Sequence, residues 1–221
     1  MDRKSFDAEW EVIHSTQEWG KYPSEHVIRF IARNFYSEKR NTIKILDFGC
    51  GGGSHTWYLA REGFDVYAFD GSESAVKKTG ERLSADNLYA HLEVADALKL
   101  QYEQDYFDAV IDNVSIYANR QENIVAMYEE IFDILKHGGK LLTVCFGKKT
   151  SGCRSGQEIE KDTYINIEEG VLANRGTQHL WVLEELEETL RRIGFQDIKH
   201  DIILYTDNGN QVEQYVVMGM K

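Results

Sequence analysis

An α/β fold with a doubly wound, mostly parallel sheet of seven strands is predicted by three observations. First, Ile43–Ser54 (I-K-I-L-D-F-G-C-G-G-G-S) runs from apolar residues into four glycines within five positions, and a serine then opens a helical pattern. A buried strand that turns through glycines into a helix N-terminus brings backbone N–H groups close to a ligand, as in nucleotide pockets. Second, short apolar runs alternate with helical periodicity from Ile43 to Phe146, which implies parallel strands joined by helices on both faces. Third, D-N-G-N at 207–210 separates two alternating apolar runs, a strong hairpin signal that adds an antiparallel strand to the sheet.

The elements follow in order. Residues 1–42 read as a helical cap of two helices: Phe6, Trp10, Val12 and Ile13 mark the first. Pro23 and Ser24 open a second that carries His26, Val27, Phe30, Ile31 and Phe35. Trp19 and Tyr22 lie in the break between them, either as packing residues or as part of a lid over the ligand. Strand Ile43–Phe48 leads to helix Ser54–Glu62, and strand Asp65–Phe69, ending in Asp70, leads to helix Ser72–Ser84 with Ser72 as its cap. Tyr89–Val94 and Ala109–Asp112 are strands three and four. A helix over 122–135 is closed by Gly138–Gly139 before strand Lys140–Phe146. Residues 147–178 hold five glycines, many charges and little periodicity, and read as an irregular acceptor loop or insertion. Helix Leu183–Ile193, stopped by Gly194, and strands over 195–205 and 211–218 complete a single domain, 1–221.

Composition narrows the function. The 221 residues are 42% hydrophobic, 28% charged and 12% aromatic, which are globular values. Thirty-seven acidic against 25 basic residues give a net charge of −12 with no basic run, which disfavours nucleic acid as a partner. The charged start and the lack of a long apolar run predict no signal peptide, no membrane span and a cytoplasmic location. Cys50, Cys145 and Cys153 are too few and scattered for a disulfide framework or a zinc site, and no metal is expected.

Two carboxylates choose the nucleotide. Asp47, two residues before Gly49 and expected to face the pocket, would repel a pyrophosphate but hold an ammonium, directly or through water. Asp70, about 20 residues past the glycines, can accept hydrogen bonds from both hydroxyls of a ribose. With these residues the chain resembles the class I S-adenosylmethionine-dependent methyltransferases of the small-molecule type, a Rossmann-like fold. The resemblance is carried by L-D-F-G-C-G-G-G (46–53), V-Y-A-F-D-G-S (66–72), V-A-D-A-L-K-L (94–100), F-D-A-V-I-D-N-V-S-I-Y (107–117) and L-K-H-G-G-K-L-L-T-V (135–144). It implies that Asp47, with the backbone of Gly49, Cys50, Gly51 and Gly53, holds the methionine end of S-adenosyl-L-methionine. It implies that Asp70 binds the ribose beside Gly71 and Ser72, that Asp96 and Ala97 bind adenine, and that Asp112 or Asn113 lies nearest the sulfonium. A nicotinamide-dependent oxidoreductase and a non-catalytic cofactor-binding protein are the rival readings.

Methyl transfer is an in-line displacement on an already activated carbon, so the protein aligns donor and acceptor and removes a proton where the nucleophile is a hydroxyl. Tyr117, His179, Asp112 and His55 are the candidates near that chemistry. Trp19, Tyr22, Tyr117, Arg154 and His179 are the candidate acceptor contacts. Lys148, Lys149 and Arg154 form a basic cluster in an acidic chain, which suits a phosphate- or carboxylate-bearing acceptor such as a nucleotide-linked sugar; Glu158, Glu160 and Asp162 offset it, so an ordinary solvated loop is the other reading. The expected partner is a small molecule, bound by a monomer or homodimer.

Overall fold

The computed structural model describes residues 4–221. Strands β1 (Lys44–Phe48), β2 (Asp65–Asp70), β3 (His91–Val94), β4 (Phe107–Asn113) and β5 (Leu135–Phe146) are parallel, with α3 (Ser54–Arg61), α4 (Glu73–Ala85) and α5 (Gln121–Ile134) between them. They follow α1 (Ala8–Thr16) and α2 (Glu25–Phe35) and precede α6 (Leu183–Ile193), β9 (Gln196–Asp207) and β10 (Asn210–Met220). The spatial order is β3-β2-β1-β4-β5-β10-β9, with β10 antiparallel to both neighbours. Strand order reverses between β1 and β4, the switch point where open α/β sheets form their ligand crevice.

Alternation along β1 assigns its side chains to two cores. Leu46 and Phe48 join the layer under α5 and α6, with Val110, Ile124, Tyr128 and Leu186. Ile45 joins Ala109, Ile111, Phe30, Ile31 and Leu59 under α2 and α3. Ser72 caps α4 as expected, its hydroxyl accepting the Ala75 N–H at 3.1 Å. Asn208 and Gly209, with φ of 48° and 84°, form the two-residue turn of the last hairpin.

Two expectations are corrected. Gly138–Gly139 do not end the helix: α5 stops at Ile134, Leu135 pairs at once with Phe107, and the glycines lie in a bulge inside β5, where the Gly138 N–H donates to the Lys221 carbonyl. Residues 147–178 are not irregular throughout. They carry a second small sheet of β6 (Gln157–Glu160), β7 (Thr163–Ile165) and β8 (Gln178–His179), anchored by the buried Ile167 and Leu172. Strands of two to four residues are too short to show a period.

Candidate active site

A cavity of about 320 Å³ opens at the C-terminal ends of β1, β2 and β4. Its floor is the glycine turn. Gly49 (φ 72°) packs against Ser115, and a Cβ there would lie 1.9 Å from the Ser115 hydroxyl oxygen. Only glycine lets the β1 and β4 turns meet. Asp70 locks this floor, its two oxygens accepting the N–H groups of Gly51 and Ser72, each at 2.9 Å. Burial pushes its carboxyl above the ordinary value.

Of the residues expected to meet the cofactor, Gly49, Cys50, Gly51, Asp70, Gly71, Ala97 and Asn113 line the cavity. The others lie behind it. Asp47 does not face the cavity, because strand alternation turns it to the same side as Ile45. It is buried and accepts the Thr56 hydroxyl of α3 at 2.5 Å, and burial raises it to about 7. Gly53, at φ 76°, is the left-handed residue that starts α3, and the buried Ser72 is spent capping α4. Asp112 is also buried and structural. It accepts the N–H groups of Ser115 and Ile116 and the Thr143 hydroxyl (2.6 Å), and burial raises it to about 6. That grip holds Val114, a β-branched residue, at φ 57° on the cavity wall.

The roof was not foreseen in detail. Ser5, Phe6, Trp10 and His14 come from the chain leading into and along α1, and Trp19 and Tyr22 from the break before α2. Asp96 is held by this arm: its carboxylate accepts the Ser5 N–H (3.0 Å) and hydroxyl (2.8 Å), while the Ala97 N–H donates to the Ser5 oxygen at 3.1 Å. Phe6 lies against Gly71, where any Cβ would clash with the ring. Glu11 accepts the hydroxyls of Ser72 and Ser74, which hold its carboxyl below the ordinary value. Trp10 and Trp19 flank the His14 ring at 6.0 and 5.6 Å, and burial pushes that imidazole down.

On the β4 side, Tyr117 lines the cavity, its ring 5.0 Å from Phe146, and burial raises its phenol. His26 and Asn113 are joined at 2.6 Å. His55 lines the wall, accepts the Ser24 N–H at 3.3 Å, and is held neutral by burial, down to about 4. His179 is displaced from its expected role. It lies outside the cavity, its ring bonded to Thr163 at 2.7 Å and lowered to about 4 by burial, and its backbone N–H donates to the Tyr117 carbonyl.

The basic cluster also dissolves. Lys148 pairs with Asp162 (2.6 Å), Lys149 pairs with Glu213 (3.0 Å), and Arg154 is exposed away from the cavity. Arg175 takes their place. It sits in the same loop, lines the cavity, lies over the Trp19 ring at 5.4 Å, and has no carboxylate partner among the described residues. The sequence marks residues 147–178 as a glycine-rich insertion, but the arginine within it carries no distinguishing signal.

Comparison with known proteins follows from this geometry. Residues 45–139 match the family model described as a methyltransferase domain. Phosphoethanolamine N-methyltransferase 3 of Arabidopsis thaliana is 29% identical over 157 residues, which cover 70% of this chain and 29% of that protein. The chain thus spans less than a third of that relative. A methyltransferase structure from Methanosarcina mazei superposes with a TM-score of 0.68 at 22% identity, covering 80% of this chain and 92% of the other. Phosphoethanolamine N-methyltransferase 2 of Haemonchus contortus, in complex with S-adenosyl-L-methionine, gives 0.68 at 19% identity, covering 96% and 56%. Residues 45–139 thus match a methyltransferase domain, and the chain shares the fold of these methyltransferase structures.

Proposed function

We propose that the protein transfers a methyl group from S-adenosyl-L-methionine to an oxygen or nitrogen nucleophile of a small molecule. The observation that carries this is the charge of the cavity floor. Asp47, Asp70 and Asp112 lie in and beneath the glycine turn, and among the described residues no lysine lines the cavity, while Arg175 belongs to the loop side rather than to this floor. A pyrophosphate would be repelled there, whereas a ligand bearing an ammonium and a sulfonium is attracted. The residues present fit such a cofactor. Asp70 offers free lone pairs to a ribose, and Asp96 and Ala97 present the acceptor–donor pair that an adenine edge requires. The cofactor supplies the activated methyl group; the chain's residues align the acceptor and exclude water.

The acceptor is read from Arg175, whose unpaired guanidinium suits a phosphate or carboxylate, with Tyr117 and the Trp19 ring as its neighbours. Phosphoethanolamine, named for two relatives, combines such an anion with an amine. The test is release of S-adenosyl-L-homocysteine across a panel of small amines and alcohols that includes phosphoethanolamine. Arg175→Ala is expected to raise KM for the anionic acceptor by at least about tenfold, the worth of one charge-assisted hydrogen bond, with cofactor affinity unchanged. An unchanged KM removes Arg175 from the acceptor site.

Two further outcomes follow for the cofactor. The Ser5 hydroxyl uses groups that adenine would use, so its loss frees the Ala97 N–H and one of the contacts on Asp96, while the residue 5 backbone N–H still donates to that carboxylate: Ser5→Ala is expected to tighten S-adenosyl-L-methionine severalfold in calorimetry, and weaker binding would instead make Ser5 one of the cofactor's own contacts. Asp47 holds its proton up to about 7, and only its ionised form attracts the ammonium. Affinity is therefore expected to rise from pH 6 to pH 8 by up to about tenfold. Asp47→Asn flattens that profile; an equally steep profile in the variant assigns the dependence elsewhere.

A further inference from the structure

The outer edge of the main sheet is long, apolar and uncovered among the described residues. β9 is 12 residues long and bonded on one side only, to β10. Ile202 and Leu204 are 55% and 58% exposed, and Tyr205 is 44% exposed. Edge strands of this kind are normally shortened, bulged, covered or protected by inward-pointing charge, because their free N–H and C=O groups pair readily with another strand.

The hairpin geometry says which groups are free. Asp207 and Asn210 flank the two-residue turn and form its first hydrogen-bonded pair. From Asp207 back to Lys199, where the pairing is regular, alternation directs the backbone groups of odd-numbered residues toward β10 and leaves those of Thr206, Leu204, Ile202 and His200 directed outward. A second copy adding antiparallel to this edge must match even residues with even residues.

Charge selects among the registers that satisfy this condition. Centred on Ile203, the pairing sets Ile202 opposite Leu204 of the other copy twice over, Ile203 opposite itself, and Lys199 opposite Asp207 twice over. Moving the centre to Leu204 sets Asp201 opposite Asp207; moving it to Ile202 brings Asp207 against the irregular segment between Gln196 and Lys199, where Asp197 sits at φ 49° and alternation breaks. The Leu204 register places like charges face to face, which is destabilising in an antiparallel pair, and the Ile202 register leaves Asp207 without a regular partner. Lys199 and Asp207 are exposed, and neither has an ion-pair partner among the described residues.

We propose that β9 is a homodimer interface, in which two copies join edge to edge about a twofold axis at Ile203 and form one continuous fourteen-stranded sheet. A twofold axis makes each favourable pair occur twice, which is the usual form of a closed dimer. The cavity lies on the β1–β4 side of the sheet, with β5 and β10 between it and this edge, so the interface leaves the site open.

Sedimentation velocity of the full chain over roughly a hundredfold range of concentration tests this by mass action. The expected species has twice the 25.5 kDa chain mass and dissociates on dilution. Lys199→Glu and Asp207→Lys, each of which creates two like-charge pairs, should separately weaken association by about tenfold or more, and the double variant should restore it. Leu204→Lys should leave a monomer with unchanged circular dichroism. A monomer at every concentration overturns the proposal, as does a dimer indifferent to all of these substitutions.

Discussion

Asp70→Ala is expected to weaken S-adenosyl-L-methionine binding by at least about a hundredfold, roughly 3 kcal/mol. That is the sum of two hydrogen bonds from ribose hydroxyls to a carboxylate. The structure gives the same side chain a second duty, since its oxygens accept the N–H groups of Gly51 and Ser72 and fix the glycine turn against β2. Binding should therefore fall further than the loss of ribose contacts alone would give. Asp70→Asn separates the two effects. Its remaining carbonyl oxygen can keep one backbone N–H, so the turn is partly held while the anionic acceptor is lost. Affinity intermediate between wild type and Asp70→Ala is the expected order. An Asp70→Ala protein that is folded by circular dichroism and binds as tightly as wild type would show that the ribose lies elsewhere.

Gly53→Ala is expected to cost about 3 kcal/mol of stability and to lower Tm by roughly 6–12 °C for a chain of this size. One part is conformational, because Gly53 holds φ 76°, where an L side chain costs ~1–2 kcal/mol. The other is steric, since a Cβ would lie within 2.5–2.8 Å of three atoms of Thr79, which is fully buried. Thr79 cannot swing away freely, because its hydroxyl donates to the Gly51 carbonyl at 2.9 Å. Gly63→Ala is the control: at φ 87° with nothing within 4 Å of the added carbon, it carries the conformational cost alone. Thermal unfolding of both variants should show the larger drop at Gly53. Equal drops would mean that the helix start yields to the added methyl group.

What the sequence disclosed depended on whether the signal was local. The strand–glycine–helix of residues 43–54, the Ser72 cap and the Asn-Gly hairpin each rest on residues adjacent in the chain, and each appears where local chemistry places it. The orientation of Asp47 was also decidable locally: period-two alternation sets it beside Ile45, under α3, and the apolar neighbours obscured this because both faces of the sheet are buried. The roof could not be read. Ser5 meets Asp96 across 91 residues, and Arg175 reaches Trp19 across more than 150, contacts that no pattern along the chain announces. The basic cluster failed for the converse reason. Residues close in sequence were drawn apart by their own partners, Asp162 and Glu213, one of them more than 60 residues distant.

The central claim is that the cavity above Gly49 and Asp70 receives a sulfonium-bearing nucleoside with a zwitterionic amino-acid tail. It is tested most directly by titration calorimetry of the wild-type chain at pH 8 with S-adenosyl-L-methionine and, in parallel, with NAD. One site per chain for the former, lost in Asp70→Ala, and no heat with the latter is the predicted result. Saturable binding of NAD that Asp70→Ala abolishes, with none of S-adenosyl-L-methionine, would contradict the account.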